Sequence, residues 1–107
     1  MQVVNTRNDG TLPFLDDDAV IEVPATVGAA GAVPLPVDPL EPLYRGLVAH
    51  VSAYESLALE AALHGGEDRV RDALLAHPLV GQASLADDLA ARLVEANRAF
   101  LPWAVTR

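Results

Sequence analysis

Between Pro42 and Gly65 the chain reads PLYRGLVAHVSAYESLALEAALHG, with no internal proline and with apolar residues at the spacing of one helical face. Leu43, Leu47, Val51, Tyr54, Leu57 or Ala58, and Ala61 fall three or four residues apart, which lines them up on a 3.6-residue helix. Pro42 suits a first turn, where its missing N–H costs nothing, and Gly65 with Gly66 suits a stop. About 23 residues at 1.5 Å each make a rod of roughly 35 Å, enough to cross a small domain. The other elements are expected to pack on it.

The segment before this helix has a different character. Val3 and Val4 open a short extended stretch, and Asn8, Asp9 and Gly10 read as a turn because these residues tolerate positive φ. Asp16, Asp17 and Asp18 form an acidic run that lacks the alternate spacing, glycine and distal glutamate of an EF-hand, so it reads as a solvated turn. Ala19 to Val27, AVIEVPATV, is rich in β-branched residues and reads as the best strand. Ile21, Val23 and Ala25 share one face; Val20, Glu22 and Pro24 share the other. Pro24 removes a ladder donor, which predicts an edge position or a bend there. A glycine turn from Gly28 to Gly31 leads into a second extended segment, Ala32 to Val37. Pro34, Pro36, Pro39 and Pro42 then hold the connection extended.

After the long helix, Glu67 to Ala76 is predicted as a second helix. Its acids sit at its positive end, Val70, Ala73 and Leu74 face inward, and His77-Pro78 closes it. Ser84 with Asp87 three residues on reads as an N-cap, and Leu85, Leu89, Leu93, Ala96 and Phe100 mark the stripe of a third helix stopped by Pro102. Trp103 anchors the tail. The expected fold class is α+β: a small antiparallel sheet or hairpin followed by about three packed helices. At 107 residues the expectation is one domain, with its β part at 1–40 and its helical part at 41–107.

Composition narrows the function. A net charge of −8, from fifteen acids against seven arginines and no lysine, disfavours nucleic acid and anionic membrane surfaces. There is no cysteine for a disulfide, a zinc thiolate or a thiol nucleophile. MQVVNTRNDG has neither the basic cluster nor the apolar core of a signal peptide, and no run of eighteen apolar residues occurs, so the expectation is cytoplasmic.

Candidate chemistry is sparse. His50, His64 and His77 match no local zinc spacing and read as helix-surface or helix-end residues. Glu55 and Glu60 fall on different helix faces and make no acid–base pair. Glu22, within a strand of Val and Ile, must face water or be paired, and it is expected to face solvent. No GxSxG, Walker loop or dinucleotide fingerprint is present.

Several segments together resemble a known family. NDG, AVIEVPATV, a glycine turn with PLPV, YESLALEAALHG, ALLAHPLVGQ and LVEANRAFLPW occur in the order and roughly the spacing of the C-terminal part of the family 4 glycoside hydrolases. The HPLV segment and the closing LPW look most like the 6-phospho-β-glucosidases. One departure is Leu15-Asp16, where the family usually has Leu-Pro.

The resemblance implies a C-terminal domain of the lactate dehydrogenase and family 4 glycosidase type. The parent enzyme would need NAD and manganese, act on a phosphorylated disaccharide, and cleave by transient oxidation at C3, proton removal at C2 and elimination at C1 rather than by two carboxylates. The family's nucleotide sits on an upstream Rossmann half, its metal on a Cys and a His, and a Tyr is the base. No residue here matches those positions, Tyr44 and Tyr54 included, so no catalytic, cofactor or metal residue is assigned. The chain is expected to be inactive alone, to pack on the upstream half and to help form a homo-oligomer, with Leu59 and Leu63 facing such a partner. Two other readings stand beside this one: a family relative acting on α-linked or unphosphorylated sugars, and an independent helical interaction module without sugar chemistry.

Overall fold

A computed structural model describes residues 1–105 of the chain. Three strands precede three helices, with two short 3-10 turns at the end, which is the α+β class predicted. The described chain divides into two compact units, Met1–Arg45 and Gly46–Arg107.

The first unit is an antiparallel sheet in the order β1 (Gln2–Arg7), β2 (Val20–Gly28), β3 (Gly31–Pro34). Alternation along β2 buries Ile21, Val23 and Ala25 and leaves Val20 and Glu22 exposed, as the period-2 pattern predicts. Ile21 and Val23 form the core with Leu12, and Phe14, Leu15, Val37 and Leu40 pack against it. The hairpin between β2 and β3 closes with Gly28 opposite Gly31, whose φ of +98° suits a residue without Cβ.

Pro24 lies in the middle strand of the sheet, at the point where β2 becomes an edge on its β3 side. Ala25 pairs with Pro34, the last residue of β3, so Pro24 stands opposite Leu35, just past the end of that strand. Its carbonyl accepts the Leu35 N–H at 2.9 Å. A residue's N–H and C=O point the same way along a strand, so the absent N–H would face the side where β3 has ended.

The second unit is helical. α1 (Pro42–His64) begins in the first unit and continues into the second; α2 (Glu67–Ala76) and α3 (Ala83–Asn97) follow. Gly65, with φ +67°, ends α1 and donates its N–H to Ala61 O. The expectation that α1 carries the packing of the rest is corrected. Ala61 is its one buried residue, and Leu43, Leu47 and Val51, at the start of its stripe, are exposed.

α3 corrects two further expectations. Its N-cap is Gln82, without a side-chain cap bond, so Ser84 lies inside the first turn. Its buried face is Ala86, Ala90 and Val94, while Leu85, Leu93 and Phe100 stay exposed. Small side chains let α2 and α3 approach closely, while of the bulkier stripe Leu89 is half-buried and Leu93 borders an apolar cleft of the helical unit. Arg71 of α2 lies 3.9 Å from Asp87 of α3, and both residues are exposed.

Candidate functional site

Two built features and an apolar cleft stand out, and none is a catalytic constellation. The first feature is the loop from β1 to β2, organised by Asn8, the one buried polar residue among those described. Its backbone N–H donates to Ala19 O at 2.8 Å and its carbonyl accepts the Thr11 N–H at 2.8 Å. Its side-chain Oδ1 accepts the Leu12 N–H at 2.7 Å, while Nδ2 donates to Leu12 O, Leu15 O and Asp16 O at 3.0 to 3.1 Å. One amide thereby satisfies the polar backbone of a turn that dips into the core beside Leu12. Sequence reasoning read Asn8 only as a turn former. The usable signal was an asparagine before a long loop that returns to a strand.

The second feature is the junction of α1, α2 and the tail. Trp103 lies over Gly65 so closely that a Cβ there would meet the indole Cδ2 at 2.8 Å. Arg98 donates through Nη1 to Ala104 O at 2.7 Å and through Nε to Glu95 at 2.9 Å. Arg69 donates to Gly65 O at 2.9 Å. These two guanidinium groups line a hollow of about 300 Å³ beside the start of α2. Arg69 spends one of its N–H groups on Gly65 O, and Arg98 spends three on Ala104 O and Glu95, so both fasten the junction. The Arg98 hydrogen bond and charge hold the Glu95 carboxyl below its ordinary range and raise Arg98.

An apolar cleft of about 330 Å³ lies within the helical unit, bordered by Tyr54, Ala58, Ala61, Ala73 and Trp103. Alanines create it: three helices meet where no large side chain fills the space. Tyr54 meets His77 edge-on, with centroids 4.7 Å apart. His77 Nδ1 accepts the Leu79 N–H at 3.1 Å, which fixes the ring at the end of α2.

The remaining candidates do not converge. His64 lies 3.4 Å from Glu60 one turn earlier on α1, and His50 is exposed. Glu22 is exposed opposite Asn5 on the outer sheet face. Among the described residues no three of His, Cys, Asp and Glu group as metal ligands. No helix there is long and apolar enough to cross a membrane.

Comparison with known proteins adds the family relation. The family described as Family 4 glycosyl hydrolase C-terminal domain matches residues 1–80. The chain is 34% identical to the phospho-alpha-glucosidase PagL of Clostridium acetobutylicum, over 92% of this chain and 22% of that protein. It is also 34% identical to the 6-phospho-beta-glucosidase BglT of Thermotoga maritima, over 94% of this chain and 24% of that one. The chain thus spans about a quarter of the length of these relatives. Among solved structures, the Thermotoga maritima 6-phospho-beta glucosidase with manganese, NAD+ and glucose-6-phosphate superposes with a TM-score of 0.77 at 34% identity, over 94% of this chain and 26% of that one. A 6-phospho-alpha-glucosidase from gut microorganisms, in complex with NAD and Mn2+, shares the fold with a TM-score of 0.82 at 23% identity, over 94% of this chain and 23% of that one.

Proposed function

Since the chain belongs to the family 4 glycosyl hydrolases as a C-terminal domain, we propose that it serves as the non-catalytic, packing part of an NAD- and manganese-dependent 6-phosphoglucosidase. The observation that carries this reading is the bare stripe of α1. Leu43, Leu47 and Val51 are 76%, 52% and 37% exposed on a helix that continues into a packed end at Ala61. An exposed apolar face of this kind marks a surface meant to be covered. Leu59 and Leu63, also exposed, extend the apolar surface of the same helix.

The residues present do not fit either cofactor. No grouped metal ligands occur among the described residues. Gly28 and Gly31 close a hairpin, and Gly65 and Gly66 join two helices, so neither pair opens a helix after a strand as a dinucleotide site requires. No step of the reaction is therefore routed through this chain, and the chemistry is read as belonging to an upstream part of a longer enzyme. The HPLV and LPW segments favour a β-linked 6-phosphoglucoside as substrate. Relatives named for α- and β-linked substrates are equally identical, so an α-linked 6-phosphoglucoside stands as the second reading. We read the assembled enzyme as a cytoplasmic homo-oligomer. Glu22 is read as facing an arginine of the upstream part. An independent interaction module would account for the bare stripe but not for the family match.

The test is calorimetric titration of the 107-residue chain with NAD and with manganese, alongside assays on α- and β-linked aryl 6-phosphoglucosides. We expect no saturable heat and no hydrolysis. Submillimolar binding of either cofactor, or turnover of either substrate, would overturn the reading.

A further inference from the structure

Helix-on-helix packing does not account for how α1 is held in the helical unit. α2 and α3 pack closely against each other, while α1 has no comparable packing with either. A helix in water draws most of its stability from tertiary packing, so a single buried residue, Ala61, leaves α1 weakly held. Tyr54, Ala58 and Ala61 border the apolar cleft toward α2 and α3, and the small side chains among them leave it open. The missing contact comes from the tail.

Leu101 and Trp103, both half-buried, line the same cleft. The Trp103 indole also walls the hollow beside the start of α2, where it lies over Gly65 at the end of α1. It supplies, between the end of α1 and the α2–α3 pair, the bulk that the alanines lack. Little else fixes the tail. Buried Ala104 accepts from Arg98 Nη1 at 2.7 Å and donates its N–H to Leu101 O at 2.9 Å, which closes one 3-10 turn. Leu101 itself is extended, with φ −112° and ψ 95°, as a residue before proline prefers. It separates this turn from the end of α3 and is the natural hinge.

We propose that the tail from Leu101 to Ala104 is a strap that latches α1 to the α2–α3 pair, and that it opens about Leu101 while α2 and α3 stay packed. Opening breaks the Arg98–Ala104 bond and lifts the indole off Gly65, which bares the cleft and leaves α1 without its main contact. Few groups leave, so this opening lies at the low end of the free energies by which a fold opens locally. The Arg98–Glu95 pair does not involve the tail and keeps the guanidinium in place for reclosure. The strap is built from this chain's own residues and stands apart from the proposed function.

The test is native-state hydrogen exchange of the 107-residue chain at low urea, read by residue. In the wild type, the amides of Ala104, of Gly65 and of the last turn of α1 should share one opening, at least about tenfold more frequent than that of Ala73 and Ala90 in the α2–α3 seam. Trp103→Ala should speed exchange in the second half of α1 by about tenfold and change Ala73 and Ala90 by less than about threefold. Arg98→Met removes the latch bond, and acrylamide quenching of Trp103, the chain's one tryptophan, should rise by about twofold. Glu95→Gln leaves the latch bond in place and should leave the quenching unchanged. A wild type in which Ala104 and the end of α1 exchange only together with α2 and α3 would overturn the strap, and this holds even where Trp103→Ala fails to fold. Equal acceleration of all three helices by Trp103→Ala, or equal quenching in the Arg98 and Glu95 variants, would overturn it as well.

Discussion

At the scale of single residues, two positions hold more structure than their neighbours. Asn8 closes its loop through hydrogen bonds to Leu12, Leu15 and Asp16, so Asn8→Ala strands a buried N–H and several carbonyls. We expect a loss of about 2–4 kcal/mol in urea unfolding. Asn8→Asp should cost at least as much at neutral pH, since it puts an acceptor against carbonyls where Nδ2 donates. Gly65 joins a positive φ to the indole of Trp103, and Gly65→Ala should cost about 2–4 kcal/mol and red-shift the tryptophan emission. Gly28→Ala is the control: nothing lies within 4 Å of its Cβ position and its φ is ordinary, so a change beyond about 0.5 kcal/mol would contradict the account. Glu95 should give a pH dependence whose sign follows from its partner. Its folded pKa is lowered, first by the Arg98 hydrogen bond and then by its charge. The pair's contribution is thus present above the unfolded pKa and lost as pH falls through the lowered folded value. The melting difference between wild type and Glu95→Gln should shrink on that acid limb, and a constant difference would rule the pair out. Neither Asn8 nor Gly65 was legible as more than a turn or a stop, because the groups that give them their roles lie elsewhere in the chain.

At the scale of elements, periodicity located nearly everything but assigned the faces less well. The limits of α1 and α2 follow from Pro42, from the glycines at 65 and 66 and from His77-Pro78, all of which act locally through φ and a missing donor. The inner face of β2 follows from alternation. α3 was misread because Leu85, Leu89, Leu93, Ala96 and Phe100 make the more hydrophobic stripe, yet Ala86, Ala90 and Val94 allow closer approach to α2. Substitutions separate the two faces. Ala90→Leu forces bulk into the α2–α3 seam and should cost about 1–3 kcal/mol. Leu47→Ser, on the bare part of α1, should stay within about 0.5 kcal/mol in the isolated chain. Equal costs at the two sites, measured by thermal unfolding, would mean the faces are wrongly assigned.

At the scale of the whole molecule, fifteen acids against seven arginines leave a net charge of −8 on 107 residues. Self-repulsion is then screened by salt, and the melting temperature should rise by a few degrees between about 0.02 and 0.2 M sodium chloride. A fall would show that local ion pairs outweigh the net field. By itself the sequence determined the element order, the α+β class and the family relation, since strand alternation, helix stops and motif order are properties of neighbours along the chain. The tertiary structure alone decided which helix faces are covered, that Asn8 is a buried hub, that Pro24 fits a central strand and that Trp103 closes over Gly65. Those outcomes depend on which groups meet after the chain turns back on itself, and burial is a property of that meeting rather than of any stretch of sequence.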